Sequence, residues 1–145
     1  MIKPILTVAM DREFLSTPCK RVPHHIDCYR IMFTDLQDTM KNAYNCAGLA
    51  LNQIGYPYTG FCMKRGKSLL SIMNPELVNA SCKMTISKEG CLSLPGKPLR
   101  VVKRHRQIRV MFFDPMDSKY KTTGFKGFDA CVVQHEMDHG EGILI

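Results

Sequence analysis

His135 and His139 stand four residues apart in the run His135-Glu136-Met137-Asp138-His139. On a helix they lie on one face, one turn apart, and both imidazoles reach a single ion. Glu136 then sits about 100° around the helix from His135. A carboxylate there stands beside water at the ion without being a ligand. The chemistry this suggests is hydrolysis, with metal-activated water and a carboxylate that moves the protons. The plain alternative is a surface helix with two chance histidines, because His-Glu-x-x-His recurs by accident. Phe128, Cys131 and Val132 fall on the same helical stripe and favour the metal. An apolar face that ends in two histidines puts the ion at the edge of a core.

A third ligand is required. Zinc peptidases that continue with x-x-Gly-x-x-His place it downstream. Gly142 is in register for that pattern, but Ile145 occupies the histidine position. The sequence given ends there, so the search turns upstream. The candidates are a cysteine, a carboxylate, or His24, His25 and His105. A thiolate suits Zn²⁺ or Fe²⁺. Among the cysteines Cys91 is best placed, because Gly90 before it permits a close backbone approach.

The elements that must hold these residues follow from periodicity. Ile26, Tyr29, Phe33, Leu36, Met40 and Ala43 recur at steps of three and four, which predicts an amphipathic helix over 24–44. Pro23 suits its start and Gly48 its end. Short apolar runs at 60–64, 69–73, 83–87 and 108–113, broken by Gly, Pro and Asn, read as strands of mostly antiparallel sheets. Asp114-Pro115-Met116-Asp117-Ser118 reads as a hairpin tip. Residues 125–139 return to helical spacing. The class is α+β, with antiparallel or mixed sheets around a central metal-binding helix. A chain of 145 residues is expected to form a single catalytic domain, 1–145.

Composition narrows the setting. Twenty Lys and Arg against thirteen Asp and Glu give a net charge of +7. Basic residues crowd 97–109 and 119–126. They could meet RNA phosphates, yet the alternation in 101–113 favours a solvated strand face. No run is long enough to span a bilayer. The seven cysteines form no Cys-x-x-Cys pair, and most read as buried reduced thiols of a cytoplasmic protein. Glu89 is placed to orient a histidine or pair with Arg104, and His24, His25 and His105 are expected at the surface.

Three segments then resemble the peptide deformylase family, in its order and rough spacing. They are Cys46–Gln53 (CAGLALNQ), Glu89–Ser93 (EGCLS) and Gln134–His139 (QHEMDH). The run Met73–Leu77 (MNPEL) is similar to a family strand end. The resemblance implies Cys91, His135 and His139 as ligands of one divalent ion, with a water-derived nucleophile in the fourth position. It implies Fe²⁺ in cells, with Zn²⁺ or Ni²⁺ as substitutes in purified protein. Glu136 is implied as general acid/base, and Gln53 with the Leu92 backbone N–H as donors to the oxyanion. Gly48 would contact the substrate backbone. The substrate implied is a peptide beginning with N-formylmethionine, whose side chain Phe128, Cys131 and Val132 would surround if they are not plain core.

The chain departs from the family pattern at two places. Cys46 stands where the family has glycine, and Leu51 where it has alanine, which adds bulk near the presumed cleft. The short C-terminus, without the helix that many bacterial members use to dock on the ribosome, resembles compact deformylases of the kind carried by phages. Contact with the ribosome is left to the basic surface; a monomer is expected. Two other functions compete: a metallopeptidase, which would keep a downstream ligand, and a nucleic-acid-binding module with a structural metal closed by four protein ligands.

Overall fold

Ile108, Val110 and Phe112 alternate along the chain with Gln107, Arg109 and Met111. The strand they form, Gln107–Asp114, buries the first set and exposes the second. A computed structural model of the chain describes residues 1–25 and 27–145. Its elements run α1 (Val8–Leu15), α2 (Tyr29–Asn42), β1 (Gly48–Ala50), a 3₁₀ turn (Leu51–Ile54), β2 (Gly60–Arg65), β3 (Ser68–Ala80), β4 (Met84–Glu89), β5 (Arg100–His105), β6 (Gln107–Asp114), β7 (Lys119–Lys126) and α3 (Gly127–Gly140). Five strands form one antiparallel sheet in the order β1-β2-β3-β6-β7, and β4 and β5 form a separate hairpin sheet.

The five-stranded sheet lies between α2 and α3. On β2, Cys62 joins Phe33, Leu36 and Met40 of α2, whereas Phe61 and Met63 join Val110, Phe125 and Val133 on the α3 side. The period of two therefore splits one central strand between two cores. Helix α3 packs against β1, β2, β7 and β5, so it bridges the large sheet and the small one. That position brings residues from four elements to one helix face. The α+β class and the central place of the helix that carries His135 and His139 follow the sequence reading.

Several local expectations change. The helix foreseen over 24–44 spans only Tyr29–Asn42, and Ile26 lies outside the described residues. His24 packs edge-on against Phe113 at 5.0 Å and meets the Tyr120 hydroxyl at 2.9 Å, which holds the chain after Pro23 in a turn. Gly48 is not a helix end. The helix stops at Asn42, Asn45 takes the left-handed conformation (φ 53°), and Gly48 belongs to β1. Strand β3 runs well past Met73 because Pro75 sits at a bulge, where a missing N–H costs no ladder bond. Helix α1, strand β1 and the 3₁₀ turn were not foreseen. The basic run 97–109 divides at Arg106 into strands of two different sheets. Among the cysteines, Cys28 and Cys82 are exposed rather than buried.

Candidate metal centre and hydrolytic site

Helix α3 presents its C-terminal half to the sheets. His139 and Glu136 are buried, at 1% and 5% exposure, and His135 is half-buried. Cys91 follows β4 after the single residue Gly90, so the hairpin sheet delivers its thiol to the helix. Its Sγ lies 3.3 Å from His139 Nε2. One ligand atom each from Cys91, His135 and His139 fall within 4.8 Å of one another, a group that can hold a metal ion.

The surroundings fix how the His135 imidazole faces that group. His135 Nδ1 lies 3.0 Å from Glu89 Oε1. A carboxylate only accepts, so Nδ1 carries a proton and Nε2 is the ring nitrogen left to face an ion, which takes the place of a second proton there. Glu89 is itself gripped by Arg104, whose Nε and Nη2 donate to its two oxygens at 3.0 and 2.7 Å. The Arg104 Nη1 donates to Asp138 at 2.7 Å. Burial pushes the Glu89 carboxyl up, but the bonds from Arg104 and His135 outweigh it and hold it down at about 2. Arg104, expected as a partner of Glu89, and Asp138 are thus part of the support behind His135.

Charge at the cluster agrees with a cation. Burial disfavours the charged form of His135, yet the Cys91 thiol and the Glu89 carboxylate overcome it and raise the group to about 10. The site therefore favours positive charge, which a divalent ion also supplies. Burial lowers His139 to about 3 and keeps it a neutral ligand. A thiolate with two imidazoles suits Fe²⁺, Zn²⁺ or Ni²⁺, and three protein ligands leave one position open, as in catalytic sites. These residues fit a metal.

Glu136 stands beside the ligands. Burial pushes its carboxyl up to about 7, partly opposed by His135. Its Oε2 is buried without a hydrogen-bond partner in the protein. Gly48 explains how it fits. A Cβ on Gly48 would come within 2.7 Å of Glu136 Oε1, so only glycine lets β1 pass this carboxylate.

Gln53 reaches the site from the 3₁₀ turn. Its Oε1 accepts from the Ala50 N–H at 2.9 Å, which commits the amide nitrogen to the other direction. That nitrogen donates to Ser93 Oγ at 3.0 Å and lies 3.7 Å from Cys91 Sγ. Ser93 is fully buried, and its hydroxyl donates a hydrogen bond to the Leu6 carbonyl at 2.7 Å. Cys91–Leu94 form a turn closed by the Leu94 N–H to the Cys91 carbonyl at 2.9 Å. Leu92 occupies its second position, whose N–H the turn does not use. Ser93 and Asn52, which donates to the His139 carbonyl at 3.0 Å, were missed in the sequence. Ser93 stood inside the recognised segment but carried no chemical signal of its own.

The three residues of the apolar stripe separate. Phe128 is 72% exposed, not buried, because it precedes the turn of α3 that meets the sheet. Phe128 and Cys131 border a groove of about 740 Å³ that also touches Thr85, Ser87 and Lys88 of β4. Val132 joins the second core instead.

Comparison with known proteins agrees with this geometry. The sequence matches the family described as polypeptide deformylase over residues 2–145. A peptide deformylase of Clostridium beijerinckii is 38% identical over 146 residues, covering 100% of both chains. The solved peptide deformylase of Thermotoga maritima superposes with a TM-score of 0.89 at 27% identity, covering 99% of this chain and 95% of that one. A structure described as a probable peptide deformylase from synechococcus phage S-SSM7 gives 0.88 at 31% identity, covering 99% and 97%. With the match spanning nearly its whole length, the chain belongs to the polypeptide deformylase family.

Proposed function

We propose that this chain is a metal-dependent hydrolase that removes the formyl group from the N-terminal methionine of newly made polypeptides, releasing formate. The observation that carries the reading is the meeting of Cys91, His135 and His139 beside a buried carboxylate, Glu136. A divalent ion at those three ligands, Fe²⁺ in cells with Zn²⁺ or Ni²⁺ as substitutes, would supply a Lewis acid that acidifies water and polarises the formyl carbonyl.

The chain's own groups do the rest. Glu136 takes a proton from the attacking water and returns it to the leaving amine nitrogen. A carboxyl near pH 7 is matched to both transfers. The Gln53 amide nitrogen and the Leu92 N–H donate to the oxygen on which negative charge develops. Ser93 and the Ala50 N–H hold the Gln53 amide in one orientation, so this donor needs no reorganisation as the reaction proceeds. Gly48 offers its backbone to the peptide beside the site. The groove bordered by Phe128 and Cys131 receives the methionine side chain, with Val132 as the core behind it. Arg104 and Glu89 keep His135 in the tautomer that presents Nε2. A reduced thiolate ligand suits a cytoplasmic setting. No helix among the described residues is long and apolar enough to cross a membrane.

The test is formate release from a short formyl-methionyl peptide by protein loaded anaerobically with Fe²⁺, Ni²⁺ or Co²⁺. Release with the formyl peptide and none from the acetylated one is expected. Absence of formate with all three metals refutes the reading.

A further inference from the structure

Strand β1 is an edge of the large sheet, paired on one side only, with β2. The Lys64 N–H donates to the Ala47 carbonyl at 2.9 Å, so that carbonyl points into the sheet. Opposed residues of an antiparallel pair alternate between bonded and unbonded, so the main-chain groups of Gly48 and Ala50 point outward. Side chains of this chain meet two of them. Gln53 Oε1 takes the Ala50 N–H at 2.9 Å. The Cys46 thiol donates to the Gly48 carbonyl, with its Sγ at 3.2 Å.

Cys46 is 3% exposed and packs in the first core, so it adds little bulk to the cleft. Burial, with the Glu136 carboxylate second, pushes its thiol up to about 11, so the thiol keeps its proton and stays a donor. Glycine at this position, as in the family pattern, has no side chain and leaves the same carbonyl open. That carbonyl belongs to the residue against which the Glu136 carboxylate stands: a Cβ on Gly48 would meet Glu136 Oε1 at 2.7 Å. Glu136 is itself 5% exposed, and its Oε2 has no hydrogen-bond partner among the described residues. An outward main-chain acceptor and an unpartnered buried carboxylate thus adjoin, and Cys46 occupies the acceptor.

We propose that Cys46 sets how tightly this chain holds its substrate, because its thiol competes with the formamide N–H for the Gly48 carbonyl. The inference rests on the proposed function, which puts the formamide nitrogen beside Glu136. An amide N–H is a stronger donor than a thiol, so the substrate takes the acceptor, but its gain is reduced by the bond it displaces. A formamide that carries no N–H loses nothing, because the thiol stays in place. Cys46 therefore weakens binding of the ordinary substrate and blunts discrimination against N-substituted ones. A residue that cannot donate reverses both effects, since the carbonyl then stays unpartnered unless the substrate brings an N–H.

The test compares the metal-loaded parent, Cys46→Ala and Cys46→Ser on formyl-methionyl-alanine and on its analogue methylated at the formamide nitrogen. The analogue is read by its KM or, if it is not hydrolysed, by its inhibition constant. With the ordinary peptide, Cys46→Ala is expected to lower KM about two- to fivefold, with kcat moving less than KM. With the methylated analogue the constant is expected to stay or rise, so discrimination between the two widens. Cys46→Ser restores a donor and is expected to return KM to the parent value or above. A KM for the ordinary peptide that rises or stays fixed in Cys46→Ala overturns the proposal. So does an equal fall for both compounds, which would mean that losing the sulfur only made room. Should Cys46→Ala not fold, Cys46→Val fills the core without a donor and carries the same expectation. No formate from the parent sinks the proposed function and this inference together, whereas formate with the wrong KM pattern sinks this inference alone.

Discussion

The two ends of α3 differ in how polar groups are treated. At the C-terminal end nearly every charged atom has a fixed partner: Arg104 grips Glu89 and Asp138, and Glu89 grips His135. Glu136 Oε2, buried without a hydrogen-bond partner among the described residues, is the atom chemistry would use. At the N-terminal end Phe128 is exposed, and Arg109 and Lys126 stand in solvent without carboxylate partners among the described residues. Paired, buried charge holds geometry and is costly to disturb. Exposed, unpaired charge holds little geometry and is free to meet a partner. One helix thus joins a rigid reactive end to an adaptable surface.

The sharpest way to break the comparison is at the thiol. Cys91→Ser is expected to strip the metal, whereas Cys62→Ser keeps it, because Cys62 is buried in the first core and only meets Ser71 Oγ at 3.1 Å. Metal content by mass spectrometry decides, and equal content in both variants would show that Cys91 is not a ligand. Next in size is the effect at Gln53, the proposed oxyanion donor. Gln53→Ala is expected to lower kcat by about 10² to 10³ with KM little changed. Ser93→Ala should cost less on its own and nothing further in the Gln53→Ala background. Additive losses would mean that Ser93 serves the Leu6 arm and not the Gln53 amide.

The smallest of these effects is on stability. Glu89 is held at about 2, below the ordinary 4.5. Between those values the unfolded chain binds more protons than the folded one, so stability falls as pH drops through that window. Denaturant unfolding of metal-free protein from pH 5 downward should show this fall, and Glu89→Gln should flatten it. An unchanged pH slope in the variant would remove the paired carboxylate from the account.

How far the sequence could be read follows the same division. Two histidines at helical spacing and a cysteine after a glycine are chemically distinctive and local, so the cluster was legible before the fold. Glu89 with Arg104 was legible as a candidate pair, because opposite charges on adjoining strands invite it. Gly48 was misread as a helix end, since the reason for a glycine there is the Glu136 carboxylate, distant in sequence. Ser93 and Asn52 act through bonds to Gln53 and the His139 carbonyl, which only folding brings near. Phe128 fits the helical stripe, but a stripe predicts burial only where the sheet lies beneath it. Helix α1 and strand β1 are short, and tertiary contact rather than periodicity sets them.

The account rests most directly on Glu136. Anaerobic Glu136→Gln protein, assayed for metal content and for formate release from a formyl-methionyl peptide, separates holding the ion from moving the proton. The predicted result is metal content equal to the parent protein with turnover lower by about 10² to 10⁴. Full turnover with full metal content would contradict the assignment of Glu136 as the acid/base of this site.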